Sequence, residues 1–163
     1  MNETIDVADR IILAQLQQDA RKSLEALSEA CSLSVPTVQR RLKNLRESGV
    51  ISREIAVVDQ QKVGQPMTYV VMVEMERERV DHLDAFKKAA SEEPQVQQCY
   101  YVTGEADFCL ICTGSDMSDF ESLTHRLFFN NSNVRRFRTS VVMGRNKVGL
   151  TVNLDDVIEK TVV

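Results

Sequence analysis

The sequence predicts an α+β protein: an N-terminal (winged) helix-turn-helix domain, then a ferredoxin-like β-α-β-β-α-β domain. Two observations support this fold class. Over residues 1–52, apolar residues recur at helical spacing in three short segments, each preceded by a capping residue. From Met67 onward, segments with alternating apolar residues are interleaved with two helical segments. We therefore divide the chain into residues 1–52, a strand or linker over 53–66, and residues 67–163.

Composition is typical of a soluble globular protein. The chain has 163 residues, a formal net charge of −4, four cysteines and no tryptophan. The acidic N-terminus lacks an apolar signal region, and no apolar run approaches the roughly 18 residues that span a bilayer. We expect a cytoplasmic protein without membrane contact, whose cysteines are free thiols.

Two capped helices are predicted before residue 33. Asp6 is placed to cap the first, whose apolar stripe includes Ile12 and Leu16. Ser23 is placed to cap a shorter second helix that contains Leu27. Residues 31–33 then form a three-residue break. Two helices joined by such a short turn, the second of them following residue 33, predict a helix-turn-helix.

The third helix, within residues 33–49, has one apolar and one cationic face. Ser34 is placed as its cap and Gly49 as its end. Val38, Leu42 and Leu45 share the predicted buried face. The opposite face, at about 100° per residue, consists of Pro36, Arg40, Lys43 and Asn44, flanked by Thr37 and Arg41.

This cationic face predicts contact with DNA. Between Val35 and Arg46 there are four basic side chains and no acidic one, although residues 1–52 are neutral in sum. A helix of this width fits the major groove. Most charge runs are merely solvated helix faces, but the position after a turn and opposite an apolar stripe favours DNA. Thr37 and Arg40 are best placed for base edges, and Arg41 and Lys43 for phosphates.

The segment after Gly49 is expected to leave this domain as a strand. Residues 50–52 and 54–58 are rich in β-branched residues, which is typical of a wing or an exiting strand. Residues 59–66 are polar and include Gly64 and Pro66, so they are interpreted as a linker.

The second domain begins with a strand and a helix. Met67, Tyr69, Val71, Val73 and Met75 alternate along the strand. A helix follows, with apolar positions at Val80, Leu83, Phe86 and Ala90, and closes at Pro94.

Two strands, a helix and a last strand complete the domain. The strands 96–103 and 108–113 are joined by the tight turn 104–107. Asp116 is placed to cap the second helix, which the polar run 130–133 ends before a strand through Phe137. Both helices should cover one face of the sheet. If the other face is as apolar as the row from Tyr69 to Val73, a second copy should cover it, which predicts at least a homodimer.

No catalytic or metal site is predicted. Cys109 and Cys112 have a C-x-x-C spacing, but on a strand they point to opposite faces and cannot easily share a ligand. His82 and His125 are isolated and are interpreted as surface residues. The sequence shows no nucleophile–base pair and no phosphate-binding glycine loop, so we expect a non-enzyme without a cofactor.

Three motifs resemble the Lrp/AsnC (feast/famine) family of bacterial and archaeal transcription regulators. They span Ile5–Arg21, Leu27–Ile51 and Val102–Phe108, in that order and at the family's spacing. The third, V-T-G-E-A-D-F, is similar to the family's V-S-G-D-Y-D loop. Ser32 replaces the glycine often found in the helix-turn-helix break, at a small backbone cost.

The resemblance implies a sequence-specific, DNA-binding regulator that responds to an amino acid or a similar small metabolite. Family members act as dimers or higher assemblies of dimers, and their third helix enters the major groove of double-stranded DNA. The predicted DNA-contacting residues are Ser34, Pro36, Thr37, Gln39, Arg40, Arg41, Lys43 and Asn44.

The resemblance also implies that the C-terminal domain binds the effector and mediates oligomerisation. The effector lies in a cleft between subunits. Carried over by position, the effector residues are Thr103, Gly104, Glu105, Ala106, Asp107, Asp116, Thr139, Ser140 and Val141. Turn N–H groups suit a carboxylate, and Asp107 suits an ammonium group. Taken alone, the loop is also explained as a simple turn, and Asp116 as a helix cap.

One departure and two rival functions are part of this prediction. Ala106 stands where the family has an aromatic residue, which should widen the cleft and alter or remove the effector. An architectural protein that compacts DNA without an effector is one alternative. An amino-acid-sensing regulatory subunit of a metabolic enzyme is the other, although the remaining 50 or so residues are too few for a catalytic domain.

Overall fold

The computed structural model describes residues 5–77 and 79–154, which form two compact units. The first unit contains residues 5–56 together with 148–154, and the second runs from Val57 to Lys147. The division therefore falls at 56/57, within the predicted linker 53–66. The C-terminal segment 148–154, which we had placed in the second domain, groups with the first unit.

Three helices build the first unit. They are α1 (Val7–Gln18), α2 (Leu24–Cys31) and α3 (Val35–Glu47). Asp6 and Asp9 form a reciprocal capping box at the start of α1, and Ser23 accepts a hydrogen bond from the backbone N–H of Ala26 in α2. Both predicted caps are confirmed.

The break between α2 and α3 requires a left-handed residue. Ser32 supplies it with φ 53°, at the position where glycine would be less strained. Gly49 ends α3 with φ 77°, as predicted.

The core of the first unit is the predicted set of apolar stripes. Ile12, Leu27, Val38, Leu42 and Leu45 are each at most 5 % exposed and form one cluster. One residue comes from α1, one from α2 and three from α3. Their burial fixes the orientation of α3, because its apolar stripe must face α1 and α2.

The cap predicted at Ser34 is confirmed in position but not in its hydrogen bond, and the strand predicted over 50–58 is wrong. Ser34 occupies the N-cap position of α3, but its hydroxyl contacts the hydroxyl of Thr37 at 2.8 Å and makes no side-chain cap bond. The predicted strand over 50–58 does not form in the described chain. A strand needs a hydrogen-bonded neighbour, and instead Ile51 closes the end of α3 by donating its N–H to Leu45 O at 2.9 Å.

The second unit has the predicted β-α-β-β-α-β order. Its elements are β1 (Met67–Met75), α4 (Val80–Glu92), β2 (Val96–Tyr101), β3 (Phe108–Gly114), α5 (Met117–Thr124) and β4 (Val134–Val141). A π-helical turn, His125–Phe129, continues α5. The antiparallel sheet has the order β2-β3-β1-β4, so the ferredoxin-like prediction is confirmed.

The helices cover the face of the sheet that carries Tyr69, Val71 and Val73. These side chains are fully buried with Phe86 of α4 and Phe108 of β3. Tyr69 also stacks on Phe120 of α5, with ring centroids 4.0 Å apart. The row that we had used to predict an apolar open face therefore belongs to the internal core.

The open face of the sheet carries the alternate residues. We define it by Val70 and Met72 of β1, Cys109 and Ile111 of β3, and the charged group of Glu74, Arg136 and Arg138. The four apolar members are only half-buried in the single chain. This face is thus part apolar and part charged, rather than uniformly apolar.

The segment before β1 is an ordered turn. The buried Gln60 donates hydrogen bonds from its amide nitrogen to Gln65 O at 3.0 Å and to the Thr68 hydroxyl at 3.2 Å. Its side chain fastens residues 60–65 to the start of β1. The polar composition had indicated a linker but not this anchor.

The two cysteines of the C-x-x-C spacing lie on opposite faces of β3, as predicted. Cys112 is in the core, where burial raises the pKa of its thiol to about 12. Cys109 lies on the open face.

Among the described residues, no helix is long and apolar enough to cross a membrane.

Candidate nucleic-acid interface and effector loop

The face of α3 opposite its buried stripe is open to solvent. Ser34, Pro36, Gln39, Arg40, Lys43 and Asn44 are exposed, whereas Thr37 and Arg41 are half-buried. Seven of these eight predicted DNA-contacting residues lie within α3, and Ser34 precedes it directly. They form one surface because the Val38, Leu42 and Leu45 stripe holds the other side of the helix against the core.

Arg41 forms ion pairs with two aspartates of the first unit. Its Nη1 lies 2.8 Å from Asp6 Oδ2 and 2.8 Å from Asp9 Oδ1, and its side chain is 26 % exposed. The same two carboxylates form the capping box of α1, so this ion pair ties α3 to the start of α1. We had placed Arg41 among the phosphate contacts; the structure assigns its guanidinium to these two aspartates.

The ion pair shifts both pKa values in the direction that favours charge. The hydrogen bond to Asp9 raises the pKa of Arg41. Burial alone would raise the pKa of Asp6, but the hydrogen bond from the Asp9 backbone and the pairing with Arg41 outweigh it, and the pKa falls. A carboxyl with a lowered pKa stabilises the fold above its unfolded pKa of about 3.9 and ceases to do so as the pH falls through its folded value.

Arg40, Lys43 and Arg46 are the cations of α3 that face solvent. In the described chain, no carboxylate oxygen lies within 4 Å of Arg40. Lys43 Nζ is 3.7 Å from Glu47, with both side chains more than 60 % exposed, so that pair is weak. Arg46, farther along, pairs with Glu54 at 2.9 Å.

The second candidate site is the loop between β2 and β3. Gly104 adopts φ 118°, a conformation that side-chain-bearing residues rarely take. Asp107 closes the loop: its carbonyl accepts the Val102 N–H at 2.8 Å, and its carboxylate accepts the Met75 N–H at 2.6 Å. The loop is therefore fastened to the end of β1.

Ala106 and Glu105 have opposite environments in this loop. Ala106 is only 6 % exposed within the single chain, and a wider cleft between subunits stays a prediction. Glu105 is 90 % exposed and lies 3.6 Å from Arg138.

Strand register separates the predicted effector residues into two groups. Thr103 to Asp107 lie at the end of the sheet where Phe108 pairs with Val73. Asp116 follows the other end of β3, where Gly114 pairs with Met67. Six residues of strand, about 20 Å, separate these ends.

The three predicted residues of the last strand lie between these two ends of the sheet. Val141 pairs with Tyr69, nearer the Asp116 end, whereas Thr139 pairs with Val71, nearer the loop. Ser140 lies between them on the open face. Asp116 caps α5 by accepting the Asp119 N–H at 2.9 Å, and its carbonyl accepts the Tyr69 hydroxyl at 2.9 Å. A single chain therefore does not bring the predicted effector residues into one site.

One charged group on the open face was not predicted. Glu74 lies 2.7 Å from Arg136 and 2.9 Å from Arg138, and the hydrogen bond from Arg136 lowers its pKa. Arg136 and Arg138 lie on the outward face of the last strand, opposite Glu74 and Met72. The ion pair of Glu74 could not be predicted from the sequence alone. It depends on the pairing of β1 with β4, which places Glu74 opposite Arg136.

Family models match both units of the chain. A model described as the Lrp/AsnC ligand binding domain matches residues 68–151, and one described as a winged helix-turn-helix DNA-binding domain matches residues 5–52. An uncharacterized HTH-type transcriptional regulator of Sinorhizobium fredii is 42 % identical over 93 % of this chain and 89 % of its own length. The transcriptional regulator AzlB of Bacillus subtilis is 30 % identical over 96 % of this chain and 99 % of its own length.

A solved structure shows the same two-part architecture. A transcriptional regulator of Neisseria meningitidis, in complex with L-methionine, aligns with a TM-score of 0.86. It is 27 % identical, and the alignment covers 94 % of this chain and 99 % of the other.

We predict that the ion pairs of Arg41 contribute measurably to the stability of the first unit. Arg41→Ala should make the protected amides of α3 exchange hydrogen about 5-fold faster at pH 7, because the two half-exposed pairs together contribute about 1 kcal/mol. The difference from wild type should shrink at low pH, as the pH falls through the lowered pKa of Asp6. Hydrogen exchange read by mass spectrometry resolves α3 from the rest of the chain.

Lys43→Ala is the matched control for this variant. It removes a cation from the same helix, but its pair with Glu47 is longer and more exposed. Equal effects of the two substitutions, or an Arg41→Ala effect that persists unchanged at low pH, would contradict the assignment.

Proposed function

Since the chain belongs to the Lrp/AsnC family of transcriptional regulators, we propose that it binds double-stranded DNA sequence-specifically through α3. We further propose that an amino acid or a similar small metabolite controls this binding. The observation that carries the first part is the exposed face of α3, where Arg40 and Lys43 stand among uncharged polar residues. The second part is supported by the match of residues 68–151 to a ligand-binding domain and by the L-methionine complex of the Neisseria regulator.

The exposed side chains of α3 suit two kinds of DNA contact. Thr37 and Arg40 lie in the first half of the helix, where a recognition helix contacts base edges. Arg40 can donate two hydrogen bonds to guanine, the commonest base-specific contact of arginine. Lys43 lies farther along, and its flexible ammonium suits a phosphate. Arg41, held by Asp6 and Asp9, positions the helix.

Substitutions on α3 should separate base reading from phosphate contact. With a duplex selected by the wild-type protein from a random library, Arg40→Ala should weaken specific binding by about 1–3 kcal/mol and relax sequence preference. Lys43→Ala should weaken specific and unspecific binding alike and lower the salt slope by about one. Binding titrations at several salt concentrations measure both effects.

Lys88→Ala is the control, because Lys88 is an exposed cation on α4 in the other unit. It should leave affinity and salt slope unchanged. If Arg40→Ala and Lys43→Ala behave like Lys88→Ala, α3 is not the DNA-binding helix.

The open face of the sheet supports a homodimer. Val70, Met72, Cys109 and Ile111 leave apolar area accessible next to the ion-paired Glu74. A second copy, packed through the same face, would cover this area symmetrically. The separation of the loop from Asp116 adds a reason: an effector cleft that uses both would combine residues of different subunits.

A charge introduced into the apolar part of the open face should therefore dissociate the homodimer. Ile111→Glu should shift the protein towards monomer in sedimentation velocity, because it would place a carboxylate in the apolar part of the interface. Val80→Glu is the control: Val80 is 72 % exposed in the first turn of α4, where glutamate is well tolerated. An Ile111→Glu protein that stays folded and sediments like wild type would exclude this face as the interface.

The effector proposal predicts selective stabilisation by amino acids. In a thermal-shift screen against the twenty amino acids, one or a few should raise the melting temperature, since a ligand that binds the folded state stabilises it by mass action. The shift should be lost in the Ile111→Glu monomer. A flat screen of the wild-type protein would contradict the effector proposal and favour the architectural DNA-binding protein.

A further inference from the structure

The chain connects the two units twice. The first connection follows Ala56, and the second follows Lys147, after which residues 148–154 return to the first unit. This return is unexpected for a C-terminal segment without helix or strand. An interaction with the first unit must therefore hold residues 148–154 in place.

Gln17 provides such an anchor. In the last turn of α1, its side-chain oxygen accepts the Val152 N–H at 2.8 Å, and its side-chain nitrogen donates to Val152 O at 3.1 Å. The carboxamide thus pairs with both backbone groups of one residue, as a neighbouring strand would. The contact joins residues 135 positions apart in sequence.

Apolar burial contributes little to holding this segment. Val148, Leu150 and Val152 alternate along it and are 62 %, 63 % and 68 % exposed. Side chains that remain this exposed gain little from the hydrophobic effect. The paired hydrogen bonds of Gln17 are therefore a main contribution to the attachment at Val152.

We propose that residues 148–154 act as a strap that limits the motion of the DNA-binding unit, with Gln17 as its attachment point. The effect on DNA affinity rests on the proposed DNA-binding function. The attachment of residues 148–154 to the first unit does not. A dimer bound to DNA must place its two α3 helices about 34 Å apart, one turn of the duplex. A unit held by two connections loses less freedom on binding than a unit held by one, so the strap raises the affinity for DNA.

The attachment is tested first without DNA. Gln17→Ala should speed hydrogen exchange of the Val152 amide by about 10-fold, since it removes the acceptor of that N–H. Alanine is a good helix former, so α1 should remain intact. Gln18→Ala is the matched control, because Gln18 is the adjacent, exposed glutamine of the same helix. Equal exchange in the two variants would overturn the attachment.

The consequence is tested with DNA. On the duplex selected by the wild-type protein, Gln17→Ala should weaken binding by about 3- to 10-fold at an unchanged salt slope, because no phosphate contact is lost. Val152→Pro, which removes the N–H that Gln17 accepts and leaves α1 untouched, should have the same effect. Gln18→Ala should bind like wild type.

The possible failures are distinguishable. If the wild-type protein binds no DNA, the proposed function fails, while the exchange experiment still decides the attachment. If Gln17→Ala and Val152→Pro release the segment but bind DNA like Gln18→Ala, the strap has no role in DNA binding and the inference is overturned.

Discussion

The packing of Val38, Leu42 and Leu45 on Ile12 and Leu27 is the constraint on which the candidate DNA surface depends. Because these residues are almost completely buried, the rotation of α3 about its axis is fixed. Arg40, Lys43 and their polar neighbours must then reach solvent together. Removing one large side chain from such a core costs about 2–5 kcal/mol, a large fraction of the stability of a small unit. The same helix, α3, therefore supplies part of the core with one face and the candidate DNA-binding surface with the other.

Periodicity predicted this part of the structure because it depends on spacing alone. The three buried positions of α3, the caps at Asp6 and Ser23 and the positive φ of Gly49 all follow from local sequence. Interactions across the fold could not be predicted in this way. Arg41 resembles its neighbour Arg40 in sequence, and only the approach of the α1 capping box distinguishes their roles. Likewise, β propensity over 50–58 does not supply the partner that a strand requires.

The sheet shows the same limit in another form. Alternation predicted β1 correctly, but it does not say which row faces the helices, and the row through Tyr69 proved to be internal. Register explains more than alternation: it places Glu74 beside Arg136, and it separates the loop at Gly104 from Asp116. A metabolite site that uses both groups requires more than one subunit. Under the proposed function, assembly and effector binding are therefore coupled, whereas DNA binding depends on α3 of the first unit.

A site-specific cross-link to DNA would show whether α3 is the helix that contacts the bases. A photoreactive group would be attached to a cysteine at Gln39, on the exposed face of α3, and, as control, at Glu29, on the exposed face of α2. We predict cross-links from position 39 to bases of the selected duplex and few or none from position 29. Cross-links from position 29 alone, or equal yields from both positions, would contradict the assignment of α3 as the helix that reads DNA.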